Sequence, residues 1–241
     1  MTTKRYSYAY RWVWMLAAVS VLCVATSLCA EEPAEKKQNA EKDQPKWTEL
    51  FDGKTLKNWA VVDKWDFEEH GKVEVRDKVI HLEAGKPFTG LLYKGKIPTI
   101  DYEIEFEAMR TGGNDFFLNA VFPVGERQVS FVCGGWGGEV VGLTSVDGEP
   151  AVENQTAQYV EFEDNKWYKV RLAVTKEKIK LAIDGKDIVD LDHQDCQLSI
   201  YWEQEPLLPF GVSCWQTSSA IRAIRLRKLG EEPKENEEAA Q

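Results

Sequence analysis

Apolar and polar positions alternate through most of this chain with a period of two rather than 3.6. Tyr102, Ile104, Phe106 and Ala108 alternate with Glu103, Glu105, Glu107 and Met109, which is the pattern of a strand with one buried face. Between 115 and 122, Phe116, Leu118, Ala120 and Phe122 read as one face and Asp115, Phe117, Asn119 and Val121 as the other. Val170, Leu172 and Val174 alternate with Lys169, Arg171 and Ala173. The short runs 72–75 and 79–82 flank Arg76-Asp77-Lys78. Ile179, Leu181 and Ile183 lead into Asp184-Gly185, a type I′ hairpin signal, and then into 186–191. Residues 222–229 read as a closing strand. Helical periodicity is nearly absent. Many strands joined by short turns predict an all-β fold, an antiparallel β-sandwich in a single domain.

The two ends lack this pattern. Lys4, Arg5 and Arg11 precede an uncharged apolar run, 13–28, which closes on Ser27-Leu28-Cys29-Ala30. Residues 1–30 therefore read as a secretory signal peptide, with no stable membrane span left after cleavage. The protein is expected to be exported, either periplasmic or extracellular. Residues 31–46 are Glu, Lys, Gln, Ala and Pro without periodicity and read as a disordered charged linker. Residues 231–241 read as an acidic disordered tail, which leaves 47–230 as the domain.

Charge narrows the partners. The signal holds three of the 30 basic residues and none of the 40 acidic ones, so the mature chain has a net charge of −13. Phosphate backbones repel such a chain, and nucleic acid is not an expected partner. Cys133, Cys196 and Cys214 remain after cleavage. One disulfide with one free thiol and three free thiols are both compatible with that count. The mature chain has only His70, His81 and His193, with no paired-His spacing for zinc. No cofactor is implied with certainty. A divalent metal such as Ca²⁺ could use the run Asp190-Leu-Asp-His-Gln-Asp195, although loop aspartates also form turns.

One stretch is more specific. Trp47 to Trp59 reads Trp-Thr-Glu-Leu-Phe-Asp-Gly-Lys-Thr-Leu-Lys-Asn-Trp. It is followed in order by the acidic strand and Gly112-Gly113-Asn114, by Asn165-Lys-Trp-Tyr-Lys-Val-Arg-Leu172, by the 183–190 hairpin and by the closing strand. This order resembles the 3-keto-disaccharide hydrolase domain family, related to glycoside hydrolase family 16, over nearly the whole core. The resemblance implies a concanavalin A-like (laminin G-like) jelly roll. It also implies carbohydrate as partner and cleavage of the glycosidic bond in sugars already oxidised to a ketone at C3. A C3 ketone acidifies the C2 proton; a base removes it, the enolate expels the C1 substituent, and water later adds back. That chemistry needs a base, an enolate stabiliser and an acid.

In such a sandwich a concave face and its rim hold sugar. The polar faces of the expected strands supply Glu103, Glu105 and Glu107, then Asp115, Phe117 and Asn119, then Gln128, Ser130, Ser213 and Trp215. If these strands neighbour one another, they line one face of one sheet. Glu105, mid-strand before Gly112-Gly113-Asn114, is the candidate base. Asn114, Asn119, Gln128, Ser130 and Ser213 are candidate sugar-binding residues. Trp136, among four glycines in 134–138, and Trp215 are candidate stacking platforms, with Trp202 beside Glu203 on the rim. Two segments depart from the family pattern: Gln128 and Ser130 stand where relatives carry Glu and Gln, and Ser213 and Trp215 where they carry Gln and His. Two function classes remain: a hydrolase of 3-keto-glycosides, and a non-catalytic carbohydrate-binding module. A laminin G-like protein-interaction module is a third, weaker reading.

Overall fold

The computed structural model describes residues 46–230. The signal peptide, the linker except Lys46, and the acidic tail lie outside the described residues. Fifteen strands are formed: β1 (Thr48–Glu49), β2 (Trp59–Val61), β3 (Val73–Arg76), β4 (Val79–Leu82), β5 (Phe88–Tyr93), β6 (Tyr102–Gly112), β7 (Leu118–Val124), β8 (Arg127–Gly135), β9 (Val140–Thr144), β10 (Gln158–Tyr159), β11 (Tyr168–Val174), β12 (Lys178–Ile183), β13 (Lys186–Asp192), β14 (Gly211–Trp215) and β15 (Ser218–Lys228). Two short 3₁₀ turns, Trp65–Phe67 and Trp202–Leu207, complete the elements. One sheet runs β13-β12-β11-β6-β15-β4-β3, with β1 also on β15; the other runs β10-β9-β8-β7-β14-β5-β2. All pairings are antiparallel, so the expected β-sandwich is what forms.

The alternation in the sequence supplies the core between the sheets. Ile104, Phe106 and Ala108 of β6 share one apolar cluster with Leu118, Ala120 and Phe122 of β7, Phe131 and Cys133 of β8, and Val212 and Cys214 of β14. One expectation fails locally. Phe117 is fully buried in this core, against Phe162 at 5.0 Å, while Phe116 packs on the far face of the second sheet. Residues 113–117 carry the chain from one sheet to the other and do not keep strict alternation.

The opening motif is a local device. Gly53 adopts φ +72, and the Asp52 carboxylate accepts hydrogen bonds from the backbone N–H of Lys54 and Thr55, each at 2.7 Å. The turn brings Trp59 back into the core, where its Nε1–H donates to the Leu50 carbonyl at 2.9 Å. The expected Asp184-Gly185 hairpin turn has positive φ at both residues (50° and 80°), as type I′ geometry requires, and the turn between β3 and β4 has the same form at Asp77 and Lys78 (54° and 65°). Cys133, Cys196 and Cys214 are free thiols, with the first and last buried.

The acidic strand has a cross-strand explanation. On the outer face of the first sheet, Glu105 is opposite Arg171 of β11 and Arg225 of β15, and Glu107 is opposite Lys169 and Arg222. Arg227 donates to Glu103 and Arg222 to Glu107. A bulge in β15 between Arg222 and Arg225, with Ala223 at φ +50, keeps the arginines in step with the glutamates. Trp167 lies under Arg222, and Trp47 under Arg225 and Arg227, at 4.0–4.7 Å.

Candidate functional site

Of the residues singled out in the sequence, the outer face of the second sheet collects Asn119, Gln128, Ser130 and Ser213. Ser213 of β14 is directly opposite Asn119 of β7, and Ser130 of β8 is opposite Val121 of the same strand. Asn119 Nδ2 donates to Ser213 Oγ at 3.0 Å. This face is not open. The 3₁₀ turn Trp202–Leu207 folds over it and inserts Gln204, whose Nε2 donates to Asn119 Oδ1 at 3.2 Å and whose Oε1 accepts from Ser130 Oγ at 2.7 Å. Asn119, Ser130, Ser213 and Gln204 are all buried, and their polar groups are engaged with one another. Gln128 is tied to the same lid: its amide nitrogen, turned toward Phe122 O and Pro209 O, reaches both at 3.2 Å.

The rest of the cover is apolar. Phe67 of the first 3₁₀ turn stacks on Phe88 of β5 at 4.9 Å, and Leu207 of the second packs into the same cluster with Val121. Gly90 of β5 makes room for both: a Cβ there would lie 2.5 Å from Phe67 Cε1, 3.1 Å from Ser213 Cβ and 3.2 Å from Leu207 Cδ2.

The remaining candidates scatter. Glu105 is on the other sheet, so the ten-residue list does not line a single face. Glu105 is 2% exposed. Arg171 donates to Oε1 at 2.8 and 3.0 Å, Arg225 to Oε2 at 2.5 and 2.7 Å, and Lys169 Nζ lies 3.1 Å from Oε1. Burial alone pushes this carboxyl up; the hydrogen bonds from Arg171, Arg225 and Lys169 outweigh it and hold the group down to about 2. Asn114 is exposed before β7, and Trp136 is exposed in the β8–β9 turn, where Gly137 N–H points to Asp115 Oδ2 at 3.5 Å. Trp215 is half-buried against Phe116, beside an open groove of about 660 Å³ that residues 84–87 and Gln216 also line.

The Asp190–Asp195 run is occupied by structural contacts. Asp190 pairs with Lys178 and Lys180. His193 is buried; Arg127 can only donate, so Nδ1 accepts from it at 2.7 Å and Nε2–H faces Thr175 O at 3.0 Å. Among the described residues no group of three or more His, Cys, Asp or Glu is placed to hold a metal ion.

Two exposed indoles meet on the lid. Trp65 and Trp202, one from each 3₁₀ turn, have ring centroids 5.9 Å apart and planes inclined by 53°. Trp202 was legible as a rim residue. Trp65, in Asp63-Lys-Trp-Asp66, gave no periodic signal; its only mark is a tryptophan among charged neighbours.

The fold is a jelly-roll sandwich with polar and aromatic side chains gathered on the outer face of one sheet. The sequence matches the 3-keto-alpha-glucoside-1,2-lyase-like domain over residues 46–227. The chain therefore belongs to that family, which places it among carbohydrate-related proteins. No curated protein matches the sequence. Among solved structures, a point mutant of the carbohydrate recognition domain of Emp46p is 15% identical, with TM-score 0.54, covering 77% of this chain and 99% of that one. A structure described with endo-acting O-glycanases by which the human gut microbiota initiates mucin breakdown is 12% identical, with TM-score 0.53, covering 78% and 100%. At these identities the likeness is one of fold. Among the described residues no helix is long and apolar enough to cross a membrane.

Proposed function

We propose that the protein is an exported, carbohydrate-binding member of its family that holds glycan without cleaving it. The observation that carries this reading is the closure of the second sheet's outer face, where Gln204 takes up the hydrogen-bonding capacity of Asn119 and Ser130. Elimination from a 3-keto-glycoside needs a base beside the C2 proton. Glu105 lies on the opposite sheet, and a carboxylate held at about 2 is a weak proton acceptor at neutral pH. Gln128 and Trp215 stand where the family pattern has an acid and an imidazole. Membership of the lyase-like family favours the alternative, cleavage of 3-keto-glycosides, which would need the lid of residues 202–209 to open.

The test is to incubate the purified protein with a 3-keto-disaccharide and follow monosaccharide release, while measuring glycan binding by calorimetry. Binding without release is expected. Catalytic release that rises in proportion to protein would overturn the binding-only reading, and its loss or survival in Glu105→Gln would then tell whether Glu105 is the base.

A further inference from the structure

The two 3₁₀ turns seal the second sheet, yet each also leaves a large indole in solvent. Trp65 is 48% exposed and Trp202 59%. Trp65 also holds φ +56, a backbone conformation that a bulky side chain adopts only at an energetic cost. Phe67 and Leu207, buried against β5 at Gly90, fix the turns that carry the two rings. Pyranose rings present flat C–H faces that stack on indoles.

Resting on the carbohydrate-binding reading, we propose that Trp65 and Trp202 form the glycan platform, and that its ligand is a single soluble, uncharged glycan chain. The angle selects the physical form. A crystalline polysaccharide surface is flat, and two rings inclined by 53° cannot both lie on it. They can stack on successive sugars of a free chain, whose units turn relative to one another. The charge selects the chemistry. Asp63 and Asp66 flank Trp65, and Glu203 and Glu205 follow Trp202, with Lys64 as the cation between the first two. Uronates and sulfated glycans are repelled there, whereas neutral hydroxyls find acceptors.

The test presents the purified protein with cello-, xylo-, manno- and maltohexaose, with polygalacturonate, and with microcrystalline cellulose and chitin. Calorimetry, depletion from the supernatant and acrylamide quenching of tryptophan fluorescence are read. At least one neutral hexaose is expected to bind and to shield indoles from acrylamide. Trp65→Ala and Trp202→Ala are each expected to weaken that binding at least tenfold, and Tyr159→Ala, at an exposed aromatic of β10, to leave it unchanged. Thermal melts confirm folding, and Trp202→Tyr is expected to keep part of the affinity. Hexaose binding untouched by either Trp65→Ala or Trp202→Ala, or lost in Tyr159→Ala, overturns the platform but leaves carbohydrate binding standing. Preference for the polyuronate or the crystalline powders overturns the ligand class. Binding to none of these probes overturns both the platform and the carbohydrate-binding reading.

Discussion

Replacing Glu105 by Gln keeps the side-chain shape and removes one negative charge from between Arg171, Arg225 and Lys169. In the folded chain the carboxyl is held at about 2, against an ordinary 4.5. Two and a half pH units at about 1.4 kcal/mol each give about 3.5 kcal/mol of stabilisation at neutral pH. The three cations are one-third to one-half exposed, so solvent screening reduces the expected loss to about 2 kcal/mol. For a domain of this size that is roughly 4–8 °C in melting temperature. Because the folded value lies below the unfolded one, the contribution is complete above about pH 4.5 and is lost as pH falls toward about 2. The gap between wild type and Glu105→Gln should therefore be full at pH 7, less than half of that by pH 3, and closed near pH 2. Thermal melts of both proteins across that range measure it. A variant as stable as wild type at pH 7, or a gap independent of pH, would refute the view that this carboxylate is a structural anchor for β6, β11 and β15.

Two further outcomes follow from the buried groups. Gln204→Ala leaves Asn119 Oδ1 and Ser130 Oγ without their partners and should cost about 1–3 kcal/mol in denaturant unfolding; no loss would show that the lid is not fastened through this network. In the native protein a water-soluble thiol reagent should label Cys196 before the others, because burial pushes the Cys133 and Cys214 thiols up, the latter to about 12. Mass spectrometry after brief labelling reads the order, and early modification of Cys214 would contradict the packing of β14.

Several elements were decided by the sequence itself, because their causes are local. The Asp184-Gly185 turn follows from residues that tolerate positive φ. The 52–59 turn follows from one aspartate, one glycine and a returning tryptophan. The strands follow from alternation, and the family from the order of these pieces. Alternation reports which side of a strand is buried but not which sheet the strand joins. Glu105 and Asn119 are both polar-face positions on consecutive strands, yet 113–117 crosses between the sheets and sends them to opposite outer faces. Strand pairing is non-local, so only the tertiary structure placed Arg171 and Arg225 around Glu105. The lid and the Trp65–Trp202 pair were hidden for the same reason: residues 137 positions apart in the chain meet because Gly90 leaves room for both turns on one strand, and no periodicity in either segment records that contact.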